Sequence, residues 1–296
     1  NIGINRCLLQ GYEDSNNFTQ ILLYSSNQVG IYSATSNTAR LYTVTTALQR
    51  DHSSWYNIVV KFNGTSGSEE FKIYINGVNQ ALTTTTALVA HQSSIGNSNA
   101  HYIGNNFNSS LDMDGYMAEV NFIDGTALDA SSFGETNDGI WVPKDTSGLT
   151  FGTNGFRLQF NQTGLGTASA STIGADISGN ANHFTSTNII ASDCNMPDCP
   201  ENNFAVMNQL TIGDGRVHSG AVYHEGNLKV ACGGFSTSTI GGGFSSISIP
   251  KDKKIYCEVY EPNQDANLWG AGVIIDNHVQ NSTQLSGNGG ITYYNR

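Results

Sequence analysis

The stretch "KFNGTSGSEEFKIYINGVNQ", residues 61–80, decides the fold class. Phe71, Ile73 and Ile75 alternate with Lys72, Tyr74 and Asn76, the period-two signature of a strand with one packed face and one wet face. Asn76-Gly77 is the dipeptide most tolerant of positive φ, so the chain is predicted to reverse there into Val78-Asn79-Gln80. Just upstream, "WYNIVVKF" (55–62) places Tyr56, Ile58, Val60 and Phe62 on a core face and Trp55, Asn57, Val59 and Lys61 on the other.

The same texture extends outward. "ILLY" (21–24), "VGIY" (29–32), "LYTVTT" (41–46), "HYIG" (101–104), "GYMAEVNFI" (115–123) and "FRLQF" (156–160) recur between gaps of Gly, Asn, Ser and Asp. In "GYMAEVNFI", Ala118, Val120 and Phe122 read as inward and Met117, Glu119 and Asn121 as outward. No stretch has a helical period; "ALDASSFGE" (127–135) is at most one helical turn, opened by Asp129. The pattern predicts an all-β chain, an antiparallel jelly-roll sandwich.

Composition narrows the function classes. Charged residues are 12% of the 296, while Gly alone numbers 33, so the surface is one of hydroxyls and amides. A net charge of −11 with 13 Lys plus Arg argues against nucleic acid, whose binding draws on clustered basic residues. No apolar run approaches the ~18–20 residues of a membrane-spanning helix, and no membrane insertion is expected. The run begins without Met and stops after "GITYYNR", which reads as an internal piece of a longer protein. Cys7, Cys194, Cys199, Cys232 and Cys257 are odd in number and scattered, unlike a disulfide framework. Cys194 and Cys199 in "DCNMPDCP" read first as two thiols, with a local disulfide or half a zinc site as alternatives.

Three parts follow: a sandwich over 1–160, an extended connector over 161–205 and a partial second β-unit over 206–296. The connector is rich in small polar residues and is expected to pack down through Ile173, Ile177, Phe184, Ile189 and Ile190. In the last part, Asp214-Gly215 and Glu225-Gly226-Asn227 signal turns, "KKIYCEVYE" (253–261) alternates, and "LWGAGVIID" (268–276) reads as a central strand.

The combination "WYNIVVKFNGT", "FKIYINGVNQ" and "HYIGNNFNSSLDMDGYMAEVNFIDGTALDASSFGETNDGIWVPK" resembles the concanavalin A-like, laminin-G-like lectin domains of tail-fibre and other appendage proteins of tailed phages. "EGNLKV", "IYCEVYE" and "WGAGVIID" are similar to the opening half of a SPRY-like domain, a second sandwich that is incomplete here. The resemblance implies a virion appendage that binds host surface glycans alongside other virion proteins, as a homo-oligomer with a trimer favoured. A purely structural fibre or capsid-decoration role is the alternative, and a glycoside hydrolase of the same fold the third. Before Asn17 the sequence reads as lacking the family's first strand and its tryptophan, so closure is expected to need a strand from elsewhere.

Candidate glycan contacts are Tyr102, Asn105, Asn106 and Trp141, amides for hydroxyls and aromatic faces for the C–H side of a sugar. Each has a plainer reading as turn former or packing residue. Calcium is the candidate cofactor, at Asp112-Met113-Asp114-Gly115 with Asn105, Asn106 and Asn108 close in sequence, against a solvated Asp-Gly turn. Hydrolases of this fold resemble one another in carrying alternating acids on one strand. Here Glu119 shares its face with Asn121 and Ile123 while Asp124 points away, so no catalytic residue is assigned and no enzyme is expected.

Overall fold

The computed structural model describes residues 3–51, 54–194, 198–202, 204–208, 221–224, 226–232, 244–246, 256, 258, 270–273 and 291–294. Two compact units divide the chain, Asn1–Phe204 and Ala205–Arg296. In the first unit the strands run β1 (Arg6–Asp14), β2 (Asn17–Leu23), β3 (Val29–Thr35), β4 (Thr38–Thr45), β5 (Ile58–Asn63), β6 (Glu70–Ile75), β7 (Val78–Asn79), β8 (Leu82–Thr86), β9 (Ala100–Ile103), β10 (Val120–Phe122), β11 (Gly134–Asn137), β12 (Ile140–Pro143) and β13 (Phe156–Leu158). Two short 3-10 turns, Ala130–Ser132 and Ala191–Asp193, are the only helical segments among the described residues. The chain is thus nearly all-β and antiparallel, the predicted fold class.

The largest sheet of the first unit has six strands in the order β8-β4-β3-β2-β1-β9, a second is β5-β6-β7, and β10 with β13 and β11 with β12 form two-stranded ladders; the first two are the layers of the sandwich. They meet where Val29, Ile73 and Ile75 pack with Leu23, Tyr56, Ile58, Val60, Phe71 and Leu82. Enclosing an isoleucine such as Ile73, which has no exposed surface, contributes about 1.5–3 kcal/mol. Asn76 (φ 48°) and Gly77 (φ 76°) make the predicted tight reversal, a turn with two left-handed residues that pairs Ile75 with Val78.

Several expectations need correction. The first strand is present: β1 lies inside the six-stranded sheet, paired with β2 and β9. Its pattern hides it, because Gln10 and Gly11 occupy its centre. A Cβ on Gly11 would come 2.2 Å from the Ser94 carbonyl oxygen, so only glycine fits beneath that crossing backbone. The strand expected over 115–123 is confined to β10, since Glu119 turns to φ 50° just before it. In the segment after β13, Ile173 is buried and Phe184 meets Phe156 edge-on at 4.9 Å, but Ile177, Ile189 and Ile190 are exposed.

Polar groups hold that segment down as well. The carboxylate of Asp176, 5% exposed, accepts the backbone N–H groups of Arg157, Ser178 and Asn182 and the Ser178 hydroxyl, while the Asp176 N–H is taken by His183. A buried carboxylate surrounded by fixed donors can replace a hydrophobic anchor. Cys7, Cys194 and Cys199 are free thiols; Cys7 is buried, which pushes its thiol up to about 12.

Among its described residues the second unit has three two-stranded ladders: β14 (Met207–Asn208) with β17 (Phe244–Ser245), β15 (Ala221–His224) with β16 (Lys229–Cys232), and β18 (Gly270–Val273) with β19 (Ile291–Tyr294). The turn signal before Asn227 falls between β15 and β16, and β18 falls in "LWGAGVIID". Asp214-Gly215 lies outside the described residues, as does 253–261 apart from Tyr256 and Glu258.

Candidate functional site

Alternation gives the six-stranded sheet two unlike faces. Ser33 points to the core side, bonded to Thr19 at 2.8 Å and to His91 Nε2 at 2.7 Å, and the His91 ring meets Phe62 of β5 edge-on. The residues between, turned outward, fall into register across the strands. Tyr102 of β9 stands opposite Gln10, Gln10 opposite Gln20, Gln20 opposite Tyr32, Tyr32 opposite Tyr42, and Tyr42 opposite Thr86 on the edge strand β8. Opposed residues in adjacent antiparallel strands share a face, so amides and phenols form one row transverse to the strands.

The flanking positions are smaller or apolar. On one side Tyr12, Phe18, Ala34 and Ala39 are paired in turn, and on the other Cys7, Leu22, Gly30, Val44 and Thr83. No charged residue occurs in these three rows. Phe18 leans on Tyr32 (centroids 5.6 Å), Tyr32 meets Tyr42 edge-on (5.7 Å) and Tyr42 neighbours Tyr24 (6.2 Å). Burial, then the adjacent Tyr42, raises the Tyr24 phenol, so that hydroxyl stays a neutral donor and acceptor. Gln20, Tyr32 and Tyr42 are half-buried, fixed by neighbours yet reachable. With strands ~4.8 Å apart, the stretch from Gln20 to Tyr42 spans ~10 Å. Flat aromatic faces set beside amides suit a polyhydroxylated ring.

At the β1 end the row is covered. Gln10 is wholly buried, its Oε1 accepting the Phe107 N–H at 2.7 Å. The Phe107 ring stacks flat on Tyr12, 4.0 Å between centroids and 8° between planes. Phe107 belongs to a loop stapled by Asn106, whose Oδ1 accepts from the N–H groups of Ser110 (2.9 Å) and Leu111 (3.2 Å) and whose Nδ2 donates to Ser110 Oγ.

Of the residues singled out in the sequence, only Tyr102 lies on this row, beyond the covered Gln10. Asn106 is 5% exposed and its amide is spent on its own loop; Asn105 accepts the Asn106 N–H. Trp141 packs elsewhere: its indole lies against Gly77 and Gly134 and donates to Asn57 Oδ1 at 3.0 Å, on the far side of the three-stranded sheet. Nearby, Lys61 bridges Glu70 and Asp129, and Tyr74 donates to Asp129.

The loop's oxygens do not gather for calcium. Asp112 gives its carbonyl, not its carboxylate, to Arg6 Nη1 (2.7 Å), and Asp114, 86% exposed, has the same guanidinium at 3.7 Å. A cation there would meet a positive charge already in place. Among the described residues no three His, Cys, Asp or Glu side chains cluster as metal ligands. Glu119 turns to Arg157, 3.6 Å away, with Asp145 on the same guanidinium at 3.2 Å.

Residues 4–132 match the family model of the concanavalin A-like lectin/glucanases superfamily. That span contains β1 to β10 and hence the whole transverse row. No curated protein and no solved structure matches the chain. Fold and match together define a lectin/glucanase-like β-sandwich.

Proposed function

We propose that the chain is a glycan-binding module of a virion surface appendage, docking on host surface polysaccharide through the outward row Gln20–Tyr32–Tyr42. The observation that carries this reading is the register of that row: half-buried phenols and an amide aligned across the strands, without charge, on the wet face of a sandwich. The appendage setting is supported by the resemblance of the stretch from about Asn17 to Phe204 to tail-fibre lectin domains. Repeated copies, a trimer favoured, would convert weak single-site contacts into firm attachment. Binding without cleavage is the reading here, because hydrolysis of a glycosidic bond draws on a pair of carboxyl groups and the three rows carry phenols, amides and aliphatic groups.

The test is an array of neutral and anionic bacterial polysaccharides. Binding is expected among the neutral members, without product release, and Tyr32→Ala or Tyr42→Ala should each weaken it about tenfold, the loss of ~1.4 kcal/mol. Binding that survives both substitutions, or bound glycan that is cut, refutes the reading.

A further inference from the structure

The row is open at one end and walled at the other. At the β8 edge Thr83, Thr84 and Thr85 are exposed, and Tyr42, Tyr32 and Gln20 are half-buried in succession. The next member, Gln10, has no exposed surface. Its cover is built: Phe107 is tied to Gln10 through its backbone and to Tyr12 through its ring, and Asn106 holds the loop's return with three bonds to Ser110 and Leu111. A polymer lying along the row cannot continue past β2 without displacing that loop.

We propose that the site recognises the ends of neutral, unbranched glycan chains rather than their interiors, with the terminal residue at Gln20 against the wall formed by Phe107 and the chain leaving over Tyr32, Tyr42 and the β8 edge. This rests on the glycan-binding reading and specifies its ligand. Neutrality follows from three uncharged rows in a chain of net charge −11, which repels polyanions. Directionality follows from one closed side only.

Titration calorimetry with unbranched gluco-, galacto- and manno-oligosaccharides graded in length, their parent polymers and a ring-closed glucan tests this. Affinity per mole should rise with length until the open stretch is filled and then stay constant. One module should bind per chain end even on the polymer, and the ring-closed glucan should bind at least tenfold more weakly than its linear counterpart. Asn106→Ala, which unstaples the wall, should admit chain interiors and raise the number of modules bound per polymer. Many modules per wild-type polymer chain, or equal affinity for the ring-closed glucan, overturns the end-recognition inference while leaving the glycan reading intact. Binding to none of these sugars, or binding indifferent to Tyr32→Ala, overturns both.

Discussion

Replacing Gly77 by alanine probes whether Trp141 is a packing residue or a free aromatic platform. Gly77 sits at φ 76°, and a Cβ there would come 2.3 Å from the indole of Trp141. Two costs follow. A left-handed conformation costs a residue with a Cβ about 1–2 kcal/mol. Forcing a methyl group into a close-packed contact costs about 1–3 kcal/mol more. Gly77→Ala should therefore destabilise the first unit by about 2–5 kcal/mol. In a Trp141→Ala background the second cost vanishes, leaving about 1–2 kcal/mol of backbone strain. The four proteins of the cycle are compared by urea denaturation followed by far-ultraviolet circular dichroism, and a coupling of about 1–3 kcal/mol is expected. Glycan binding by folded Trp141→Ala should match wild type, because the indole lies on the three-stranded sheet and the row on the six-stranded one. Equal Gly77→Ala costs in both backgrounds would refute the packing argument and return Trp141 to the list of sugar contacts.

Acid should unfold the protein in two stages. His101 and His91 both have their pKa lowered, mainly by burial. A lowered folded value means that the unfolded chain binds more protons, so stability is complete above the unfolded pKa of about 6.5 and is lost as pH falls below it. His101 should carry the larger share, since its Nε2 accepts the Gly96 backbone N–H, which cannot turn around, whereas the Ser33 hydroxyl facing His91 can rotate. Its Nδ1 already faces the Asn99 carbonyl. The second stage comes below about pH 4, where Asp14, Glu70, Asp129 and Asp145, all lowered by their hydrogen-bond partners, take up protons. Melting temperature against pH, with His101→Gln flattening the first stage, checks both; a curve level from pH 7 to 5 contradicts the first. Asp176→Ala strands four donors that its carboxylate now accepts, and should cost at least about 3 kcal/mol; a loss below about 1 kcal/mol in urea denaturation would mean that the segment after β13 is held by other contacts.

How much of this was legible in the sequence depends on range. Local devices were: the Phe71-Ile73-Ile75 alternation, the Asn76-Gly77 reversal and the helical turn opened by Asp129 are each decided within a few residues, and each appears where expected. β1 was not, because its apolar pattern is broken by residues that answer to distant partners, Gln10 to the loop at Phe107 and Gly11 to Ser94. The anchors after β13 are only partly legible for a related reason: Ile173 and Phe184 pack, while Ile177, Ile189 and Ile190 do not. Apolar side chains are the packing groups that composition offers, whereas a buried carboxylate also holds the segment, a choice that depends on the Arg157 N–H brought to Asp176 from β13.

The binding row was hidden more deeply, since its members are joined by register alone. Ser36 and Asn37 form a two-residue turn at φ 50° and 57°, pairing Thr35 with Thr38. Counting back from that turn would set Tyr32 against Leu41, which is buried on the core side. A β-bulge at Arg40 slips the register by one, so that Leu41 meets Ser33 inside and Tyr42 meets Tyr32 outside. Of two further irregularities, the one between Tyr12 and Asp14 brings Gln10 opposite Gln20, and the one between Cys7 and Leu9 brings Cys7 opposite Leu22. A one-residue slip exchanges the faces of a strand, so the bulges select which side chains form the platform. The sequence signal available is composition at outward positions: glutamine and tyrosine recur on strands whose inward neighbours are Ile, Leu, Ser and Thr. Read together with the bulges, that recurrence becomes a site; without them it remains an ordinary half-wet sheet. It follows that deleting Arg40, the extra residue of the bulge, should leave Ala39 opposite Ala34, Leu41 opposite Ser33 and Tyr42 opposite Tyr32, so the folded deletion variant should still bind glycan; loss of its binding in the same calorimetric titration would refute the argument that the bulge serves to set this register.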